Sequence, residues 1–242
     1  MKTLDITLPV YNEEKTLYKN VEKIILFCEM KLNNIINICI IIVDNGSTDS
    51  TSIVAQNLIR NYPQVIKFIQ LPQKGVGLAL KTSWLQSDAD LVGYMDLDLS
   101  TDLMHLTEVV DLFIKNEKMD LVVGSRLNSK SHVIGRSIIR EITSRTLNFI
   151  LKIVFKNNFD DGMCGFKFMK KNLVEDIIKN GANSDAWFFC AEILIVSEWL
   201  DYKIYEIPVK WTDDLDSKVN IFSLAKECLL GIFYLKTMRC LK

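Results

Sequence analysis

The sequence predicts an α/β fold, a mostly parallel sheet with helices on both faces and a carboxyl-terminal helical elaboration. Strand-like apolar runs alternate with amphipathic helical segments over the first 125 residues, which is typical of parallel strands joined by crossover helices. The run at 38–43 is apolar throughout, as expected for a strand that is covered on both faces. At 242 residues the chain is long enough to bury a large core, and we expect a single domain over 1–242.

The elements of this first half follow in order. The first predicted strand, residues 4–10, is followed by a helix that begins at Glu13, with Asn12 as its N-cap. The apolar residues of this helix recur with a helical period, which places them on one face. The alternation then continues to residue 125. The other predicted strands are 38–43, 65–71, 91–95 and 121–123. Three further helices are predicted: the first ends at Pro63, the second covers 78–86, and the third has an apolar stripe over 106–114.

The regular alternation fails beyond Arg126. Residues 126–156 hold seven Lys or Arg against one acid, and their apolar positions indicate an amphipathic helix. A further strand is predicted at 203–209, and a last helix begins at Ile221. Because the chain has no internal repeat and no low-complexity linker, we interpret the second half as an elaboration of the same domain.

Composition narrows the class of protein. A net charge of -1 gives no reason to propose nucleic acid as a partner. Six cysteines without a C-x-x-C pair, most of them in apolar runs, favour reduced thiols in a cytosolic protein over disulfides or a zinc site. The amino terminus runs directly into a strand, so we expect no signal peptide. The apolar runs are shorter than the ~20 residues of a membrane span, so we expect that the chain does not cross a membrane.

Two carboxylates, Asp96 and Asp98, follow directly on the predicted strand 91–95. Residues i and i+2 of a strand point to the same side, so this pair could hold one hard divalent cation or one polyhydroxylated ligand. The alternative is a strand-to-helix turn with solvated acids. Polar loops also follow Val10 and Val43, and open α/β sheets bind their ligands at the carboxyl ends of strands. We therefore expect the three loops to converge on one site.

A set of motifs carries a resemblance to a known family. P-V-Y-N-E-E at 9–14, V-D-N-G-S-T-D-S-T at 43–51, K-G-V-G at 74–77 and M-D-L-D at 95–98 resemble, in order and spacing, family-2 glycosyltransferases, which have the GT-A fold and use nucleotide-sugars. Later motifs resemble the polyprenyl-phosphate branch, and within it the dolichyl-phosphate β-glucosyltransferases. These are G-S-R at 124–126, R-S-I-I-R at 136–140, D-G-M-C-G-F-K at 161–167, A-E-I-L at 191–194 and P-V-K-W…D-S-K at 208–218.

The resemblance implies that residues 1–125 bind the nucleotide-sugar donor. Pro9, Tyr11 and Glu13 would line the nucleoside pocket. Asp44 would accept hydrogen bonds from the base, because an ionised carboxylate is an acceptor only. Lys74 would approach the nucleotide and its phosphates.

A divalent cation is the cofactor that the resemblance implies. Asp98 would coordinate Mg²⁺ or Mn²⁺, while Asp96 would face the ribose or a metal-bound water, and Asp102 would support this shell. Such a cation takes one or two carboxylates together with substrate phosphates. It would stabilise the departing nucleoside diphosphate as charge builds on it.

The second half, 126–242, would bind the acceptor. A polyprenyl phosphate is already an oxyanion, so it needs positioning more than deprotonation. Arg126, Arg136 and Arg140 would hold it as planar charged donors, and Ser217 and Lys218 would close over the phosphates. The apolar face of the basic helix would lie against lipid, at the cytoplasmic face of a membrane. Attack opposite the leaving group would invert the anomeric carbon, and one sugar would be transferred.

Alternatives remain open at this level. Glu192 is the best remaining carboxylate for a general base, which a saccharide or protein hydroxyl acceptor would need; orienting an arginine is its other possible role. Asn45 and Cys190 stand where the family often has acids, which keeps open a module that binds nucleotide-sugar without turnover. A haloacid-dehalogenase-like phosphatase, with Asp96 as the nucleophile, also places D-x-D after a strand. Core positions are favoured over sugar platforms for the four tryptophans, among them Trp211.

Overall fold

The computed structural model describes residues 1–116, 118–213 and 221–240. Within them, seven strands form the main sheet and two more form a small parallel ribbon. The main strands are β1 (Thr3–Val10), β2 (Asn37–Asn45), β3 (Ile66–Leu71), β4 (Leu91–Met95), β5 (Leu121–Ser125), β7 (Phe166–Lys170) and β8 (Ile204–Pro208), and the ribbon pairs β6 (His132–Ile134) with β9 (Lys210–Thr212).

The order of the main sheet is β3-β2-β1-β4-β7-β5-β8. All pairs are parallel except those of β7, which runs antiparallel between β4 and β5. The prediction of a mostly parallel sheet is therefore confirmed. Strand β7 was not predicted from the sequence, because a lysine rarely occupies a core position, yet the Lys167 side chain is fully buried.

Helices cover both faces of the sheet, as predicted. A separate hydrophobic core lies on each face of the sheet. In β4, Leu91 and Met95 pack into the first core, and Val92 and Tyr94 pack into the second. Helices α1, α2 and α4 contribute to the first core, and α3 and α5 to α8 contribute to the second. Their bounds are α1 (Leu17–Leu32), α2 (Thr51–Asn61), α3 (Val76–Leu85), α4 (Met104–Lys115), α5 (Ile138–Phe155), α6 (Val174–Lys179), α7 (Phe189–Trp199) and α8 (Ile221–Cys240).

The start of the first helix differs from the prediction. Helix α1 begins at Leu17, and Asn12 does not cap it. Asn12 has a φ of 55° and its side-chain oxygen accepts a hydrogen bond from the Thr48 amide at 2.8 Å. The Asn12 amide donates to Ser47 Oγ at 2.8 Å. Asn12 thus joins the loops after β1 and β2 instead of starting a helix.

Two further expectations concern cysteines and membrane spans. Cys28, Cys39, Cys164, Cys190 and Cys228 carry free thiols. Burial raises the pKa of the Cys164 thiol to about 12, so it stays protonated and unreactive. Across the described residues, we find no helix with the length and apolar character of a membrane span.

Candidate active site

The loops that follow β1 and β2 converge at the carboxyl edge of the sheet, as predicted. Besides the Asn12 contacts, the Glu13 amide donates to Thr51 Oγ1 at 2.8 Å. The Glu13 carboxylate accepts a hydrogen bond from the Thr16 hydroxyl within its own turn. Lys74 reaches the same edge, with its amine 4.1 Å from the centroid of the Tyr11 ring. Pro9 lies one residue before the end of β1, beside Val43 of β2.

Two buried acceptors stand at the end of β2. Asp44 is fully buried and its Oδ1 accepts a hydrogen bond from the Ser47 amide at 2.9 Å. Asp44 Oδ2 and Asn45 Oδ1 have no hydrogen-bond partner within the described residues. Leaving buried acceptors unpaired is costly, which makes them suited to the donors of a bound ligand. The family resemblance implies that Asp44 contacts the nucleobase here.

The D-x-D pair is not in a strand, which corrects the geometric argument from the sequence. Strand β4 ends at Met95, and Asp96 and Asp98 lie in the turn that follows. The side chain of Asn20 in α1 fixes this turn by donating to the Leu97 carbonyl at 3.1 Å. Asp98 is exposed, and its Oδ1 accepts from the Ser100 amide at 2.8 Å. The turn, not strand alternation, brings the two carboxylates near each other.

Asp96 is packed against the backbone of Gly165. A Cβ added at Gly165 would lie 1.9 Å from Asp96 Oδ2, so the carboxylate occupies the space that a side chain would fill. Burial and the nearby Asp98 charge raise the pKa of Asp96 to about 7, while Arg126 and Lys167 oppose this shift. A cation between the two carboxylates would relieve their repulsion.

The donor set fits a cation that arrives with its substrate. Across the described residues, no group of three or more His, Cys, Asp or Glu side chains could hold a metal ion. The pair Asp96 and Asp98 offers hard oxygen ligands and leaves the other positions to phosphate oxygens and water, which is how proteins commonly hold Mg²⁺. The Asp102 carboxylate accepts from the Met104 amide at 3.0 Å and pairs with Lys210 at 3.1 Å. Asp102 therefore stabilises the turn.

Arg126 lies just past β5 in a fixed position. Its Nε donates to Asp161 Oδ2 at 2.7 Å and its Nη2 donates to Asp161 Oδ1 at 2.9 Å. Asp161 is fully buried. Burial by itself would raise the pKa of Asp161, but the charge and hydrogen bonds of Arg126 hold it at about 2. This bidentate ion pair persists across the physiological range of pH.

Arg136 and Arg140 lie beside Arg126. The Arg136 side chain is only 7% exposed, and its Nη1 has no hydrogen-bond partner among the described residues. Its Nε lies 3.0 Å from Glu141 Oε2, outside hydrogen-bond geometry. Burial and the like charge of Arg126 lower the pKa of Arg136. Arg140 pairs with Asp213 at 3.1 Å. The predicted arginines thus form a cluster in which each lies beside a carboxylate, and Arg136 Nη1 remains available to an anion. Ser217 and Lys218, predicted to join them, lie outside the described residues.

Comparison with known proteins places the chain in a family. The sequence pattern of Glycosyl transferase family 2 matches residues 5–178. The chain belongs to this family. A dolichyl-phosphate beta-glucosyltransferase of Trichomonas vaginalis is 29% identical over 237 residues, or 94% of this chain and 72% of the relative. The corresponding enzyme of Dictyostelium discoideum is 29% identical over 255 residues, or 97% of this chain and 77% of the relative.

Solved structures support the fold. Glucosyl-3-phosphoglycerate synthase from Mycobacterium tuberculosis, solved with Mn²⁺, UDP and its product, superposes with a TM-score of 0.68 at 18% identity. The match covers 98% of this chain and 80% of that one. The family-2 glycosyltransferase therefore has the GT-A fold, as the motifs predict, and the phosphatase alternative is wrong.

In this glycosyltransferase, Glu192 is buried and clamps a loop. Its carboxylate accepts from the Ser184 amide at 2.8 Å, and burial raises its pKa to about 7. The loop it holds caps the start of α3, where the Gly77 amide donates to the Ala186 carbonyl at 3.2 Å. A Cβ at Gly77 would lie 2.2 Å from the Ser184 carbonyl oxygen, so the glycine permits this close approach.

Position 190 holds a neutral group. The Tyr94 hydroxyl donates to Cys190 Sγ at 2.9 Å, and burial raises the pKa of the thiol. Behind it, the fully buried Lys167 donates to the Cys164 carbonyl at 2.5 Å. Asp161, Gly165 and Lys167 all belong to the motif D-G-M-C-G-F-K, which identified the family in the sequence but gave no role to its members.

Proposed function

We propose that the chain transfers a single sugar, with inversion, from a nucleotide-sugar to a polyprenyl phosphate at the cytoplasmic face of a membrane. The donor is UDP-glucose-like or GDP-mannose-like, and the cofactor is Mg²⁺ or Mn²⁺. The observation that carries this proposal is the arginine cluster, in which the Arg136 side chain is 7% exposed and its Nη1 has no partner among the described residues. The relatives' names support the acceptor class and favour glucose.

The carboxylates on the acceptor side support an acceptor that is already ionised. Asp161 is held by Arg126, Asp213 by Arg140, and Glu192 by a loop amide. At position 190 the chain has a thiol that is hydrogen-bonded to Tyr94. A hydroxyl acceptor needs a general base, whereas a phosphate monoester attacks as an oxyanion. Transfer to a saccharide or protein hydroxyl, with Glu192 as base, is the alternative that this arrangement disfavours.

The donor end of the site would work through positioning and electrostatics. Asp44 would accept a hydrogen bond from the base, and Lys74 would approach the phosphates from the Tyr11 ring. Asp96 and Asp98 would hold the cation, which supplies charge stabilisation for the departing nucleoside diphosphate. The Mn²⁺ and UDP in the mycobacterial relative support this assignment. Residues 1–125 are thus the donor half of one domain.

The acceptor end would align the nucleophile. Arg126, Arg136 and Arg140 would hold the phosphate oxyanion as charge-assisted donors. Fixing the attacking oxygen relative to the anomeric carbon supplies much of the rate in a reaction that needs no proton transfer to the protein. Approach from the face opposite the diphosphate gives inversion. Residues 126–242 are thus the acceptor half.

The surface next to the arginines suits a lipid tail. Helix α5 carries an exposed apolar stripe that begins beside Arg136 and extends about 22 Å, at 1.5 Å of rise per residue. Helix α8 packs against α5 and exposes apolar residues of its own. Apolar helix faces flanked by basic residues bind the surface of a bilayer. The exposed residues are Ile138, Ile139, Ile142, Phe149 and Ile153 of α5 and Leu229, Leu230, Phe233 and Tyr234 of α8.

A donor panel tests the proposal. The purified chain is incubated with Mn²⁺, polyprenyl phosphate and UDP-, GDP- or dTDP-sugars, and the products are separated into lipid and aqueous phases. We expect one donor to be consumed and a sugar-phosphate lipid to form. Donor consumption that needs a saccharide or peptide, is lost in Glu192→Gln and is retained when Arg136 and Arg140 are both Ala would support the hydroxyl alternative instead.

A further inference from the structure

Trp211 and Asp213 connect the arginines of the acceptor side. Neither residue was assigned a catalytic role from the sequence. Trp211, in the centre of β9, is 5% exposed and packs in the core, as predicted for the tryptophans. Its ring also lies under the Arg126 guanidinium, 4.9 Å from the guanidinium carbon to the ring centroid. Its indole Nε1 donates to Asp213 Oδ1 at 2.7 Å. The tryptophan thus contacts one arginine and a carboxylate.

Asp213 extends this contact to the next arginine. Its Oδ2 accepts from Arg140 Nη1 at 3.1 Å, while its Oδ1 accepts from Trp211. The Asp213 side chain is 7% exposed, and its amide donates to the Ile134 carbonyl at 2.9 Å, so its backbone is tied to the ribbon of β6 and β9. Each carboxylate oxygen has a different partner, which fixes the orientation of the group.

This arrangement restricts long side chains that would otherwise be flexible. An arginine loses rotamer freedom when it binds a phosphate, and this loss weakens binding. Stacking on an aromatic ring and pairing with a fixed carboxylate restrict the side chain before the ligand arrives. Arg126 is restricted by Asp161 and Trp211, and Arg140 by Asp213.

We propose that Trp211 and Asp213 are positioning residues of the acceptor-phosphate site. Trp211 holds Arg126 with its ring and, through Asp213, orients Arg140, so one indole sets the relative position of two phosphate-binding arginines. The inference rests on the proposed function, since the anion is taken to be the acceptor phosphate. Trp211 would thus set the positions of the arginines in that site, although its strand β9 otherwise contributes to the core.

Two conservative variants separate the contacts of Trp211 and Asp213. Trp211→Phe keeps a ring under Arg126 but removes the N–H bond to Asp213, and Asp213→Asn removes the charge that faces Arg140. Binding of farnesyl phosphate, a soluble isoprenyl phosphate, is measured by calorimetry, and binding of UDP or GDP with Mn²⁺ is measured separately. We expect both variants to weaken farnesyl phosphate binding roughly 10- to 150-fold, as for the loss of one hydrogen bond to a charged group, and to leave nucleotide binding unchanged.

A double-mutant cycle identifies the route of the effect. In an Arg140→Ala background, Asp213→Asn should have no further effect on farnesyl phosphate binding, because its partner is already absent. Trp199→Phe is the matched control. Trp199 of α7 also stacks on an arginine, because the guanidinium carbon of Arg239 in α8 lies 4.4 Å from its ring centroid. This pair is away from the arginine cluster. This control should change neither binding constant.

The outcomes separate this inference from the proposed function. Unchanged farnesyl phosphate affinity in Trp211→Phe and Asp213→Asn, with or without a lower Tm, would overturn the positioning role while transfer by the wild type still stands. Equal weakening of nucleotide and farnesyl phosphate binding would also overturn it. Wild-type binding without transfer to any polyprenyl phosphate would contradict the proposed function alone, and no wild-type binding would overturn both.

Discussion

Gly165→Ala is the substitution that most sharply tests the role of Asp96. The added Cβ would lie 1.9 Å from Asp96 Oδ2, 2.4 Å from its Cγ and 2.6 Å from its Oδ1. Ordinary contact begins at 3.4 Å, so the carboxylate must move by about 1.5 Å. The Asp96 amide is held by the Gly165 carbonyl at 3.2 Å, so the side chain, not the backbone, must rotate. Overpacking of this kind costs about 1–3 kcal/mol of the free energy of unfolding.

The catalytic effect of this shift should exceed its effect on stability. A displacement of about 1 Å at a catalytic group lowers rates on the order of 100-fold. We expect Gly165→Ala to lose transfer by at least that factor and to bind Mn²⁺ more weakly, while urea unfolding shows a folded chain. Gly162→Ala is the matched control, since its Cβ would meet apolar atoms of Phe159, Ala191 and Leu151 at 3.2–3.3 Å. Turnover of Gly165→Ala within threefold of the control would refute this reasoning.

Three further predictions follow from the structure. Burial raises the pKa of Glu192 from 4.5 to about 7, so the stability that its protonated form contributes is fully present below pH 4.5 and is lost as the pH rises through 7. Glu192→Gln should remove about 3 kcal/mol of this pH dependence. Equal slopes of unfolding free energy against pH in the wild type and the variant would contradict this expectation. Phe149→Asp should reduce sedimentation with anionic liposomes at least about tenfold. The control Met30→Asp should not, although Met30 on α1 is 74% exposed against 64% for Phe149. Equal sedimentation of the two variants would count against α5 as the lipid-binding face. Arg126→Lys should lower transfer at least about tenfold, because lysine cannot keep the bidentate contact with Asp161, and wild-type kinetics would show that this geometry is unimportant.

The sequence predicted much of the donor half because local signals and the fold agree there. The strand at 91–95 matches β4, and the loops after Val10 and Val43 meet as expected. The cap at Asn12 was predicted wrongly, since a polar residue before a helix can bond to a distant loop as well as to its own helix. Its partner Thr48 is 36 residues away in the chain.

The acceptor half was harder to predict because its contacts are long-range. Lys167 occupies a core position that no hydrophobic pattern could indicate. Asp161 lies 35 residues from Arg126, and Asp213 lies 73 residues from Arg140, so neither pairing has a local signal. Gly165 is required by the Asp96 carboxylate, a relation that only the folded chain reveals. Motif resemblance located these residues but did not show what they contact.

In the proposed reaction, Asp98 holds a cation for transfer to a polyprenyl phosphate. With the donor identified, transfer by the wild type and by Asp98→Asn is measured across a Mn²⁺ titration that begins in chelator. We predict that the wild type is inactive in chelator and recovers with Mn²⁺, while Asp98→Asn stays folded but at least about 1000-fold slower at saturating metal. Near-wild-type turnover of Asp98→Asn at saturating Mn²⁺, or full wild-type activity in chelator, would contradict the account.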